Sequence, residues 1–407
     1  MRLLIVSLAL LYLTYPCAGQ SPHPAQPPVS YTIALPARPF GIVTSADGAW
    51  VFVGLTYDSG AGGIAVVKRS GAGYAVARVI PLAYAATGLA LTHDGNLLIA
   101  AAGPEVCFLD LSGVSSGGAS AITAGYSMSD GPNAGSIWGS VTPDDQTLFV
   151  CDENTGQLTV IDLKSARLNG FSAASVLGTI LLGAAPTATV FSPDGQWAYT
   201  TVEVVSSALG WSKTCTQEGS TSPALVNSQG AVVMFNVATA VSQPSQAVTL
   251  FGQFVPAGCS PVRLAFSPDG LTLYVTARNN NEVLALDVSK FASDPMHAVI
   301  GAAPVGPAPV PVAWINSGAQ IVVGNSNRFL APGSMQSLDV VDAELLRAGA
   351  GAAAVIRTVP TGSFPRAFML SPDGKTLFLS NYDSNTLQVM DAGRLGEADR
   401  GRSGPGH

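Results

Sequence analysis

Seven turns of one kind, an even spacing between them, and short β-branched runs at fixed offsets from each predict an all-β fold. The fold is a seven-bladed β-propeller of four-stranded antiparallel blades. The turns centre on Gly48 (SADG), Gly95 (THDG), Asp145 (TPDD), Gly195 (SPDG), Gly270 (SPDG), Gly318 (INSG) and Gly374 (SPDG). Their intervals of 47, 50, 50, 75, 48 and 56 residues define units of about fifty. A period of that size with four strands per unit is the signature of a propeller blade. Composition agrees: with 47% hydrophobic residues, 11% charged, 44 Gly and 28 Pro, the chain is too apolar for disorder and too rich in turn formers for helices.

Taken in order, residues 1–19 read as an export signal: Arg2, an apolar run from Leu3 to Leu13, then small residues at Cys17-Ala18-Gly19. Export to the periplasm, cell surface or medium is the expectation. Residues 20–29 form a Pro-rich linker that cannot enter a sheet. The propeller is expected over 30–392, with a polar, Gly-rich flexible tail over 393–407. No later segment is long and apolar enough to span a membrane. A net charge of −7 without a Lys/Arg cluster argues against nucleic acid as a partner.

Each unit repeats one grammar, clearest in RLAFSPDGLTLYVTARNNNEVLALDV (Arg263–Val288). A G-x-x-P-like lead-in opens strand a, the turn follows, and then come strand b, a polar loop, strand c ending in Asp or Asn, and strand d. In the turn, Pro fixes φ, Asp caps its own backbone and Gly takes the positive φ, so these residues are structural. The seventh unit stops after strand c (TLQVMDA), while an apolar strand, Ser30 to Leu35, precedes the first unit unpartnered. Placing it as the fourth strand of the last blade closes the ring and removes the open edges.

The last unit, FPRAFMLSPDGKTLFLSNYDSNTLQVMD (Phe364–Asp391), and the run Leu273-Tyr274-Val275-Thr276 after its SPDG carry a family likeness. They resemble the YVTN-family β-propeller repeat, with Asn381 and Asn385-Thr386 in register. The third unit keeps VTPDDQTLFVCDENTGQLTVIDL, and the sixth is the most degenerate. The resemblance spans nearly the whole chain after the leader. It implies the fold rather than one activity, because the family mixes exported proteins, surface-layer proteins and relatives of the lactonase propellers.

In a propeller the a–b turns lie on one face and the b–c and d–a loops on the other. The PDG turns thus belong to the back, and the loops around the channel mouth belong to the front. Sites in such rings are built from loops on a rigid scaffold. The front collects the candidate binding residues Arg38, Asp152, Glu153, Glu203, Trp211, Arg263, Arg278, Asn279, Arg366, Asn381 and Asp383. Arg38, Arg263 and Arg366 recur near strand a, and three guanidinium groups around an opening suit a carboxylate or phosphate. The alternative is that each bonds a neighbouring blade's carbonyls or a front-face acid. Asp152-Glu153 reads either as a Ca²⁺-holding loop or, preferred, as a solvated turn.

The 75-residue interval carries about 25 extra residues, 204–230, in the b–c loop of unit four. An insertion of that length is a lid or binding loop, or disordered. Trp211 in it offers a flat apolar contact. Cys215, also in it, and Cys259 in the next lead-in are expected to form a disulfide. Cys107 and Cys151 lie near the front in neighbouring blades, either as a pair or as two buried thiols.

No cofactor is implied. His23, His93, His297 and His407 do not cluster, none is placed as a channel base, and there is no haem, zinc or P-loop motif and no G-x-S-x-G. The preferred reading is therefore a monomeric, non-enzymatic exported scaffold that binds a protein, peptide or envelope glycan through its front face and the 204–230 loop. The alternative is a lactonase-like hydrolase, which Pro365-Arg366 resembles. Glu203 would serve there as general base, with Arg263 and Arg366 as oxyanion clamp. The fifth unit, SPVRLAF, lacks the His that such enzymes present beside the Arg.

Overall fold

The computed structural model describes residues 30–249, 252–331 and 333–397. The proposed leader and linker, and most of the proposed tail, lie outside those residues. Seven four-stranded antiparallel sheets form the ring, with a two-stranded sheet between strands of the fourth. The innermost strands a are Arg38–Thr44, Gly88–Leu91, Ser136–Val141, Gly183–Phe191, Pro261–Phe266, Pro309–Ile315 and Pro365–Leu370. Each packs against the strand a before and after it, and the seventh packs against the first. The core lies between successive blades, where buried Val, Leu, Ile and Phe of strands b and c meet the next sheet.

Blade 7 closes as the sequence predicts. Strand Ser30–Ala34 pairs antiparallel with strand c, Thr386–Asp391, in a register running from Ser30 opposite Met390 to Ala34 opposite Thr386. Both edges of strand c are thereby occupied.

The back-face turns show why the S-P-D-G pattern repeats. In blade 4, Ser192 Oγ donates to Asp194 Oδ1 at 2.5 Å, and the same carboxylate accepts Gln196 N at 3.0 Å. Gly270 has φ +72°, and a Cβ there would lie 2.7 Å from Pro193 of the preceding blade's turn. The turns thus nest one on the next. Where Gly is absent, Asp145 takes φ 57° itself, and its side chain bonds the backbone N–H groups of His93 and Asp94 in blade 2. Blade 6, which lost the Pro and Asp, makes a different turn through three left-handed residues, Asn316, Ser317 and Gly318.

The Asp or Asn that ends strand c also has a local cause. Asp162, Asn236, Asp342 and Asp391 each accept a backbone N–H from the first turn of a short helix. They are N-caps. One of these helices, Ala392–Leu395, extends the fold into the proposed tail and buries Leu395. His297 sits in a single 3₁₀ turn before strand d of blade 5, paired with Asp294.

Candidate functional site at the channel mouth

The inserted segment is an ordered β-hairpin, Lys213–Thr216 paired with Leu225–Ser228. Four tethers hold it. Cys215 is bonded to Cys259. Glu218 grips the Arg278 guanidinium with both carboxylate oxygens, one at 2.6 Å from Nη2. Asn279 Nδ2 donates to Thr216 O at 3.0 Å. Phe329, from the b–c loop of blade 6, lies against Gly219. Leu209 and Trp211 pack against the core cluster that includes Phe40 and Cys151, so the indole is part of the hairpin's footing.

Arg278 is 5% exposed and also bonds Glu203 Oε2 at 2.8 Å. Burial alone would pull its pKa down, but Glu218 and Glu203 outweigh it and the net direction is up. The Glu203 carboxyl is pushed up by burial, against the opposing charge of Arg278.

Arg263 and Arg366 differ from Arg278. Arg263, from strand a of blade 5, is 5% exposed and stacks 4.6 Å over the Trp138 ring. Its Nη1 donates to Thr187 O of blade 4 at 2.8 Å, while Nη2 is buried without a partner. Burial lowers its pKa to about 10. Arg366, from strand a of blade 7, is 8% exposed and lies 4.2 Å over Phe40 and 5.5 Å from Phe364. Its Nε and Nη1 are buried with no hydrogen-bond partner. Burial depresses its pKa far below the ordinary value, and the charges of Arg263, Arg278 and Arg328 push the same way. Arg263 therefore bonds a neighbouring carbonyl, Arg38 pairs with the exposed Asp58 at 3.3 Å, and Arg366 does neither.

Asp152 and Asn381 occupy one position, the end of strand b, and both are fully buried. Asn381 Nδ2 donates to Thr386 Oγ1 and Gln388 Oε1 at 3.3 and 3.1 Å. Asn325 of blade 6 likewise donates to Ser337 Oγ and to Asp339 Oδ2. Gly362 and Gly306 of the lead-ins leave room for these amides, since a Cβ at either would come within 2.7 Å of them. The G of the lead-in and the N after strand b are thus halves of one structural contact. Asp152 takes the Asn place in blade 3, accepting from Thr159 Oγ1 at 2.7 Å. Burial, then the neighbouring Asp130 carboxyl, push it up to about 9. The solvated-turn reading of Asp152 is corrected accordingly: it is a buried acid beside a second acid. Asp383 is exposed and shares a cleft between blades 7 and 1 with Arg38, Tyr57 and Asn385.

Cys107 and Cys151 do not pair; both are buried free thiols, raised by burial to about 11 and about 12. Among the described residues no group of three or more His, Cys, Asp or Glu could hold a metal, and no helix is long and apolar enough to cross a membrane. Sequence reasoning missed Glu218, Asp130, Phe329 and Trp138. Nothing local marks them: Glu218, Phe329 and Trp138 meet residues of other blades, and Asp130 meets Asp152 only when the lead-in of blade 3 folds back on strand b.

The closed ring and its loop-built mouth define a seven-bladed propeller. Residues 229–400 match the family described as Lactonase, 7-bladed beta-propeller. The match covers less than half of the chain and, with the blade count, supports a likeness to the lactonase-type seven-bladed propellers. No curated protein matches it. Among solved structures it is similar to the hydrazine synthase of Kuenenia stuttgartiensis: TM-score 0.64, 17% identity, 88% of this chain and 96% of that one covered. It is also similar to the Cps50 (Swd1) β-propeller domain of Myceliophteria thermophila, with TM-score 0.59, 13% identity and coverage of 88% and 97%. At these identities the likeness is one of fold.

Proposed function

We propose that this chain is an exported binding propeller that takes an anionic group of its ligand, a carboxylate or phosphate, at Arg366 of strand a in blade 7, without chemistry. The observation that carries this reading is the guanidinium whose buried Nε and Nη1 have no hydrogen-bond partner. A buried cation with unpaired donors is costly, and planar N–H donors match carboxylate and phosphate oxygens. A protein, peptide or envelope glycan bearing such a group would present it there. Glu203 is engaged by Arg278 and is not free to activate water, which supports binding over hydrolysis.

Calorimetric titration with pentanoate and with inorganic phosphate tests the proposal. The wild type should bind at least one of them saturably, and Arg366→Met, checked for its fold by circular dichroism, should bind neither. A wild type blind to both anions would refute the reading. The family match over 229–400 favours the hydrolase alternative. That alternative requires turnover of a lactone panel that falls on Glu203→Gln; we expect none.

A further inference from the structure

The back face carries a cleft of about 450 Å³ between blades 4 and 5. Strands b and c of blade 4 build one side of it. Trp197 and Tyr199 are two positions apart on strand b, so they share a face of the sheet. Tyr199 stands in register with Met234 of strand c, and all three side chains line the cleft. Blade 5 contributes Val288, from the start of its c–d connection. The rim is the nested pair of back-face turns, which brings Asp194 of blade 4 and Asp269 of blade 5 to the same opening.

The lining has three properties that select one kind of ligand. The two rim carboxylates are charged and uncompensated. Each Oδ1 accepts a Ser hydroxyl and a backbone N–H, and these bonds hold both groups below the ordinary carboxylate range. Neither carboxylate forms an ion pair among the described residues. Arg347, whose charge reaches Asp269, donates to Tyr274 Oη at 3.0 Å. The second property is an available aromatic surface, since Trp197 is 37% exposed. The third lies deeper. Tyr199 is 3% exposed, yet its Oη has no hydrogen-bond partner among the described residues. A buried phenol ordinarily finds one.

We infer that this cleft binds an organic cation: an ammonium group on an apolar body, with its charge at the Asp194 and Asp269 rim, its body against Trp197 and Met234, and an N–H donated to Tyr199 Oη. An indole face and two carboxylates attract such a cation together, and the thioether and Val288 take its hydrocarbon part. A neutral molecule of the same shape keeps only the apolar contact. The site uses none of the residues of the anion reading at Arg366, so neither falls with the other.

Calorimetric titration with 2-phenylethylammonium, against the neutral 2-phenylethanol, tests the inference. The amine should bind saturably and about tenfold or more tighter than the alcohol, and added salt should weaken the amine alone. Asn keeps the Oδ1 that the turns need, so Asp194→Asn combined with Asp269→Asn removes the charge and leaves the turns intact. This double variant should erase the preference for the amine. Trp197→Ala should weaken both ligands, and Arg366→Met should bind the amine as the wild type does. An alcohol that binds as tightly as the amine, or a preference that survives the double variant, overturns the inference. So does a wild type that takes up no amine at millimolar concentration.

Discussion

A single atom separates Asp152 from the Asn that fills its place in blades 6 and 7, and it changes what the residue needs. Asn325 and Asn381 donate to an oxygen on the adjoining strand. Asp152, beside Asp130, can be accommodated only with a proton. Its pKa is about 9 in the fold against 3.8 ordinarily, so the folded chain binds the extra proton. The contribution is then complete below pH 3.8 and is lost progressively as pH rises to about 9. We expect the melting temperature of the wild type to fall across that window relative to Asp152→Asn, in which an amide hydrogen replaces the shared proton. Parallel melting curves for the two proteins would contradict this. The sequence marks Asp152 as a front-face residue at the end of strand b, where the structure has it. It did not reveal the burial, because Asp130 sits in blade 3's own lead-in, some twenty residues before Asp152 in sequence, and meets it only once the blade is folded.

At the scale of the element, the inserted hairpin was legible as an interval 25 residues too long and as a Cys pair, and both readings survive. Its form was not. SKTCTQEGSTSPALVNS has no alternation of apolar and polar residues to mark strands. The pairing is imposed by tethers from blades 5 and 6. The disulfide closes 44 residues, which by chain entropy stabilises the fold by up to about 4 kcal/mol. Changing Cys215 and Cys259 together to Ser should lower the urea midpoint accordingly and open residues 213–228 to protease before the ring unfolds. An unchanged midpoint would mean that Glu218, Asn279 and Phe329 hold the hairpin unaided. The repeat itself was the most legible feature, since strand a, turn, strand b and strand c recur with local signals. The sixth unit was recognised despite losing its turn residues, because its strands kept their offsets.

For the molecule as a whole, stability depends on the seam in blade 7. Ser30–Ala34 contributes five backbone-paired positions to strand c, with Leu35 buried behind them. Removing residues 30–35 should leave Thr386–Asp391 as an open edge. The expected result is a lower, broader thermal transition and association in light scattering; a sharp monomeric melt at the wild-type temperature would show that the other contacts between blades 7 and 1 suffice. One of these is long in sequence: Ser380 Oγ donates to Phe40 O at 2.7 Å across 340 residues.

That seam joins one of the first-made strands of the described chain to one of the last. During synthesis the early ribbon must stay unpaired for some 350 residues of translation, because its template does not yet exist. Partial rings therefore carry two unsatisfied flanks until the end, and closure is a single late event rather than a gradual one. Chains dominated by such distant pairings fold slowly. The interval before closure, more than any weakness of the finished circle, is when an unpaired strand edge is exposed to other chains.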